Sequence, residues 1–583
     1  MAKKLLALII LALASSLFFY NLNRKNNLKI RIIETTDVHG SIFPYDFIKN
    51  QETDHSLAAV YTYVKEQRQN PDFETILLDN GDILQGQPVV YYSNFEATDR
   101  EHICAQVMNF MQYDAGTVGN HDIEAGHPVY DKLNKEFNFP WMAANAINTK
   151  TGKPYFTPYT IIERSGVKIA VLGLITPAIP NWLPENIWSG MEFEDMIVTA
   201  KKWIKIIQEK EKPDIIIGLF HSGIDYTYDN STAETYKNEN ATQLVPKNVD
   251  GFDVIFGGHD HQKYNFTVKS PNGSDVLIMD PRSHARCMAV VDIELSWSEE
   301  KKSWDKKITG QIIDTDTIIP DKSFINKFAG FFEETKKYVN REIGSFTKTI
   351  ESKDALFGDS EFADLIHTIQ LQISKAEISF TAPLSYDSEI KKGKVYVRDM
   401  FNLYRFENLL YTMRLSGIEI KNYLEYSVNL WFNRMKGEND HLLKLKTTDE
   451  GDFRLASAYY NFSSAAGIDY TVDLKAPEGE RVHILQLSSG KEFDLNKEYL
   501  VAINSYRGNG GGGHLIKGAS IPKDKLSERV VHATNKDLRY YMIKWIEEQK
   551  SITPKCDDNW TLIPEKWYEK AKAKDMQLLF PEN

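Results

Sequence analysis

Cysteine is scarce: Cys104, Cys287 and Cys556 are the only three in 583 residues, too few and too scattered for a disulfide scaffold or a thiolate metal site. Basic charge is not in excess either. With 69 Lys+Arg against 81 Asp+Glu the formal net charge is −12, which argues against broad electrostatic affinity for a nucleic-acid polymer. No internal repeat is present, and the glycine-rich stretch Gly508–Gly513 lacks the following Lys-Ser or Lys-Thr of a P-loop. At 42% hydrophobic, 26% charged and 12% aromatic residues, the composition excludes a mostly disordered chain and a multi-span membrane protein. The length calls for at least two domains.

The amino terminus carries Lys3 and Lys4, an apolar run from Leu5 to Tyr20 broken only by Ser15 and Ser16, and a polar stretch from Asn21 to Asn27. This order of basic and apolar regions is that of an export segment over residues 1–27. Ala12 and Ala14 offer a cleavage site, while Leu17–Tyr20 extend the run beyond it; the segment is therefore either a cleaved signal peptide or a retained membrane anchor. The expected location is the periplasm or cell envelope. No cysteine follows the run to accept a lipid.

From Leu28 to about Glu294, β-branched apolar runs alternate with loops rich in Asp, Asn, His and Gly. The runs are Ile30–Thr35, Thr75–Leu78, Asp114–Val118, Asp214–Phe220 and Asp253–Phe256, and Met191–Lys210 has helical periodicity between them. Strands alternating with helices predict an α/β sandwich with a largely parallel or mixed sheet, whose ligands sit at the carboxyl ends of the strands. The charged segment Glu299–Lys307 interrupts this pattern. An amphipathic helix is expected over Phe324–Glu342, then a second α/β unit, then a tail that packs back on the body. The expected divisions are 28–323, a linker at 324–343, 344–557 and a tail at 558–583.

Five motifs stand at the strand ends: Asp37-Val38-His39, Gly81-Asp82, Gly119-Asn120-His121-Asp122, His221-Ser222-Gly223 and Gly258-His259-Asp260-His261. Five of the fourteen histidines lie in these loops. Any one motif alone fits a capped turn or the end of a buried strand; the five together point to a metal centre. Carboxylate, imidazole and amide oxygen suit Zn, Mn, Fe or Co better than Cu(I) or an iron–sulfur cluster. A pair of cations ~3.5–4 Å apart needs a bridging carboxylate, a role that Asp82 fits.

In this order the motifs resemble the calcineurin-like metallophosphoesterase superfamily. The resemblance implies a four-layer αββα sandwich and two divalent metal ions (Mn, Zn or Co). It also implies Asp37, His39, Asp82 and His261 around one metal, and Asp82, Asn120, His221 and His259 around the other. His121 would lie beside the metals, oriented by Glu124 or by Asp122, and would stabilise or protonate the leaving oxygen while metal-bound hydroxide attacks phosphorus.

The carboxyl half resembles the 5′-nucleotidase C-terminal domain, through Gly358-Asp359-Ser360, Ala382-Pro383-Leu384, the stretch Tyr404–Leu410, Ser416-Gly417 and Ser505-Tyr506-Arg507-Gly508-Asn509-Gly510. This smaller α/β domain would bind substrate. Phe406 and Tyr506 occupy the positions of the family's base clamp, and Asn408 that of its polar contact with the base. Thr381–Leu384 stands where the 5′-nucleotidase branch has an arginine-bearing loop, and Gly512 where it has Asp. Both departures favour the 2′,3′-cyclic-nucleotide 2′-phosphodiesterase/3′-nucleotidase branch. The expectation is therefore an enzyme acting on cyclic and 3′-nucleotides, with a 5′-nucleotidase or UDP-sugar hydrolase and a catalytically silent nucleotide-binding envelope protein as alternatives. A hinge near Phe324–Glu342 would move substrate between domains. The partner is a small nucleotide, not a nucleic-acid polymer, and no obligate protein partner is evident.

Overall fold

The computed structural model describes residues 27–228, 231–448 and 451–581. The expected export segment at 1–27 lies outside these residues except for Asn27, and no described helix is long and apolar enough to cross a membrane. Two compact units are present. Residues up to Ile179 with Asn186–Thr335 form one, and Pro180–Glu185 with the residues from Lys336 onward form the other.

The β-branched runs of the first unit divide between two six-stranded sheets, as the αββα resemblance implies; the strand and helix periodicity alone suggests one. In the first sheet the order is Ser303–Asp314, Cys287–Ser298, Asn27–Thr35, Glu74–Asp79, Ala115–Thr117 and Trp141–Met142. The last four run parallel. In the second the order is Lys263–Lys269, Asp275–Pro281, Val254–Phe256, Ile215–His221, Val167–Ile175 and Tyr159–Arg164, with the four central strands parallel. Alternation along each strand splits its side chains between two faces. Ile30, Ile32, Ile76 and Leu78 of the first sheet meet Val171, Ile217, Leu219 and Phe256 of the second in one buried core. Each such side chain contributes roughly 1.5–3 kcal/mol on full burial.

The outer face of the second sheet, with Leu172, Ile216 and Ile255, is covered by Met196, Ala200, Ile204 and Ile207 of the helix Met196–Lys210. The helix Leu57–Gln69 packs beside the strand Glu74–Asp79 of the first sheet. The layers are thus αββα. The expected helix Met191–Lys210 begins only at Met196, where the Asp195 side chain accepts Val198 N–H at 3.0 Å; Met191–Phe193 is a strand. Glu299–Lys307 is no break in the pattern but the tip of a long hairpin, Cys287–Ser298 paired with Ser303–Asp314.

The expected linker helix spans Lys322–Val339, and Glu342–Phe346 is a strand. Its Phe324, Phe328 and Phe331 are buried, with rings against Phe110, Tyr61 and Tyr92 of the first unit. Phe332 packs on Phe43 and Phe47. The first half of the expected hinge is therefore core of the first unit rather than a pivot.

The second unit holds a five-stranded sheet in the order Ser464–Ala466, Ile378–Thr381, Glu498–Asn504, Leu409–Ser416 and Val530–Asp537. The helix Gly417–Trp431 starts with a Ser416–Glu419 capping box, and its Ile420, Leu424 and Val428 join the core of this unit. The tail belongs to that core as well: Trp560–Ile563 pairs in parallel with Ile468–Asp473, and Trp560 stacks on Tyr470 at 5.6 Å.

Candidate active site

Four of the five motifs follow the carboxyl ends of parallel strands, and His221 is itself the last residue of its strand, so both sheets deliver their loops to one end of the sandwich. The backbone there is unusual. Asp37, His39, Asp82, His259 and His261 all take positive φ, between 49° and 77°. Left-handed conformations of this kind cost energy in non-glycine residues and concentrate at functional sites. The motif glycines allow close approach: a Cβ on Gly119 would lie 2.1 Å from Asp82 Oδ1, and one on Gly258 2.3 Å from Thr36 Oγ1.

Two ligand-type groups result. In the first, His261 Nε2 lies 3.3 Å from Asp37 Oδ1 and 3.0 Å from His39 Nε2. In the second, His221 Nε2 lies 3.2 Å from Asp82 Oδ2 and 3.1 Å from Asn120 Oδ1, which is itself 2.7 Å from His259 Nδ1. His39 Nδ1 donates to the Gln85 carbonyl at 2.8 Å and His221 Nδ1 to the Asn80 carbonyl at 2.6 Å, which turns each Nε2 towards the site.

Burial, with the neighbouring His261, lowers the His39 pKa to about 3, so its ring is neutral and able to ligate. Burial alone would raise the Asp37 pKa, but the His261 hydrogen bond and the His221 and His261 charges lower it below the ordinary value. Asp82 Oδ2 is buried and accepts no well-aligned hydrogen bond among the described residues. Two imidazole nitrogens facing each other across 3.0 Å in one group, and in the other a buried carboxylate oxygen 3.2 Å from the His221 nitrogen, are arrangements that a cation would satisfy. The donor set of nitrogen and oxygen fits a borderline divalent ion.

His121 adjoins both groups. Its backbone N–H donates to Asp82 Oδ1 at 2.8 Å, and its ring lies 5.5 Å from that of His39. Its Nδ1 is 2.5 Å from Glu124 Oε2. Burial lowers the His121 pKa, but the Asp82 charge and the Glu124 hydrogen bond outweigh it and raise the pKa to about 9. Asp122, the competing partner, turns the other way. Its carboxylate accepts the N–H groups of Asp82, Ile83, Leu84 and Gly119 at 2.7–3.1 Å, so it builds the loop instead of orienting His121.

Two residues with no motif signal also reach the site. His284, itself at φ 65°, donates its N–H to the Asp37 carbonyl at 2.7 Å, and its ring lies 5.2 Å from that of His39. Glu239 Oε1 lies 3.1 Å from His259 Nε2. Both stand in loops of ordinary polar composition, where nothing in the sequence separates them from their neighbours.

In the second unit, Phe406 is half-buried and meets Tyr460 edge-on at 5.8 Å and 82°. Asn408 is buried and accepts the Tyr404 hydroxyl at 3.3 Å. Tyr506 lies under the Arg507 guanidinium at 5.5 Å. Arg507 is itself buried and donates to the carbonyls of Gly511 and Tyr460 at 2.8 and 2.6 Å. A Cβ on Gly512, at φ 68°, would fall 1.8 Å from Arg507 Nη1, so the Gly512 departure goes with the seating of this arginine.

This fold and this constellation define a two-domain hydrolase of the metallophosphoesterase class. Residues 30–263 match the family model of the calcineurin-like phosphoesterases and residues 342–518 that of the 5′-nucleotidase C-terminal domain, so the chain belongs to the proteins that join the two. A 2′,3′-cyclic-nucleotide 2′-phosphodiesterase/3′-nucleotidase of Haemophilus influenzae is 27% identical to it, over 93% of this chain and 88% of that protein. A trifunctional nucleotide phosphoesterase of Bacillus subtilis is 28% identical over 92% of this chain, which spans only 39% of that longer protein. A 5′-nucleotidase precursor from Thermus thermophilus has the same fold, with a TM-score of 0.62 at 20% identity over 92% of this chain and 100% of that one.

Proposed function

We propose that the protein is a dinuclear-metal phosphoesterase that opens 2′,3′-cyclic nucleotides and removes phosphate from 3′-nucleotides. The observation that carries this reading is the meeting of the Asp37–His39–His261 and Asp82–His221–His259 groups beside Asn120 and the His121–Glu124 pair. Asp37, His39 and His261 would hold one cation; Asn120, His221 and His259 the other; Asp82 would serve both. The chemistry such cations supply when bound is Lewis acidity towards the phosphoryl oxygens and a nucleophilic water at neutral pH.

The remaining work falls to the chain. Asn120, 7% exposed, orients a phosphoryl oxygen through its amide. His121 holds a proton, secured by Glu124, for transfer to the departing ribose oxygen. Phe406 and Tyr506 stack on the base, with Asn408 at its polar edge. The name of the Haemophilus relative, together with Gly512 and Thr381–Leu384, favours cyclic and 3′-nucleotides over 5′-nucleotides. Export through residues 1–27 belongs to the same proposal and rests on Lys3, Lys4 and the Leu5–Tyr20 run.

The test compares 2′,3′-cyclic AMP, 3′-AMP and 5′-AMP after chelation and reconstitution with Mn, Zn, Co or Mg. Chelation is expected to abolish turnover, and reconstitution to restore it on the first two substrates. Faster turnover of 5′-AMP would make the protein a 5′-nucleotidase, and no turnover of any ester with metal bound would make it a binding protein. Phe406→Ala and Tyr506→Ala are expected to raise KM roughly five- to 150-fold, from a stacking loss of about 1–3 kcal/mol per base.

A further inference from the structure

The histidines of the two ligand groups differ in what holds the nitrogen turned away from the site. His39 and His221 each lean on a neutral backbone carbonyl through Nδ1. His259 is reversed. Its Nδ1 faces Asn120 Oδ1 at 2.7 Å, and its Nε2 meets a carboxylate, Glu239 Oε1, at 3.1 Å.

The position of Glu239 is well fixed. Its carbonyl accepts the hydroxyls of Thr176 at 2.9 Å and Ser222 at 2.7 Å, and the Ser222 oxygen in turn accepts Ala241 N–H at 2.9 Å. Thr176 and Ser222 each follow the last residue of a central strand of the second sheet, Ile175 and His221 respectively. The loop carrying the carboxylate is thereby tied to the strand end that carries His221. These backbone ties would hold with any side chain at position 239, so they do not by themselves call for a carboxylate.

We propose that Glu239 is a positioning residue for the second ligand group, an inference that rests on the two-cation reading above. By accepting from Nε2–H it sets the His259 tautomer, and with it the Nδ1 lone pair directed into the site. Its negative charge makes the imidazole a stronger donor. Cation occupancy at Asp82, His221 and His259 depends on Glu239; occupancy at Asp37, His39 and His261 does not. Loss of such a carboxylate partner typically weakens metal binding by about 10–100-fold.

The test is a calorimetric Mn(II) titration of the chelated full-length protein, alongside Glu239→Ala and Glu239→Gln, with His259→Ala as reference. The unsubstituted protein is expected to take up two cations. Glu239→Ala should bind one with unchanged affinity and the other roughly 10–100-fold more weakly. Glu239→Gln, which keeps an acceptor oxygen but no charge, should fall between. Thermal unfolding of the metal-free forms should coincide, and if Glu239→Ala does not fold, Glu239→Gln decides. Unchanged affinity for both cations in the variants overturns the inference and leaves the two-cation reading standing, as does equal weakening of both. Fewer than two cations in the unsubstituted protein overturns both together.

Discussion

Between His121 and Glu124 the chain makes one short helical stretch, Asn120–Glu124, and that geometry separates two acidic residues by role. Positions i and i+3 share a helix face, so Glu124 meets the His121 ring while Asp122 points back into the loop. Glu124→Gln is expected to lower kcat by roughly a hundredfold or more, the scale of general acid catalysis, with little change in stability. Asp122→Asn should instead cost about 2 kcal/mol or more, because a charged acceptor of four backbone N–H groups is lost. Denaturant unfolding of the metal-free variants separates the two effects. Gly512→Ala is expected to displace Arg507 and destabilise the second unit by about 1–3 kcal/mol, since both the left-handed backbone and the available space require glycine there. At this scale the sequence displayed the motif residues and the His121–Glu124 spacing. Glu239 and His284 stayed hidden, because contacts made by long loops leave no local pattern.

Elements bring their own electrostatics. At the start of the helix Glu361–Ser374, Asp359, Asp364 and Cys556 lie together, with Asp557 donating its N–H to Asp364 Oδ2 at 2.9 Å. Burial, and then the neighbouring carboxylates, raise the pKa of Asp359 to about 6 and that of Asp364 to about 8, from 3.8. The folded protein therefore keeps a proton that the unfolded chain releases. The associated stability is full below about pH 4 and falls as the pH rises towards 8. Asp364→Asn is expected to raise the melting temperature strongly at pH 8.5 and much less at pH 5, measured in chelator; equal shifts at both values would sink this account. The strands that carry the motifs were readable from their β-branched runs. The hairpin Cys287–Asp314 was not, because one strand is mostly exposed and its charged residues resemble a linker. Nor does hydrophobic alternation reveal that the runs belong to two sheets, since a strand facing a second sheet and one facing a helix have the same period.

Across the whole first unit, the site depends on residues far apart in the chain: His39 and His261 meet across 222 positions. The opening strand Asn27–Thr35 lies between Glu74–Asp79 and Cys287–Ser298, and Arg31 forms an ion pair with Asp292, 261 positions later, at 2.6 Å. Until the ribosome has delivered that late partner, one flank of this early strand has backbone donors and acceptors with nothing to bond, the situation that invites pairing between nascent chains. A chain stopped before Cys287 would contain every proposed metal ligand and still lack the flank that closes its first sheet; it is expected to sediment as aggregate in a solubility assay. Should that outcome hold, possession of all the proposed ligands is not enough: the proposed metal centre depends on a hairpin that contributes no ligand to it.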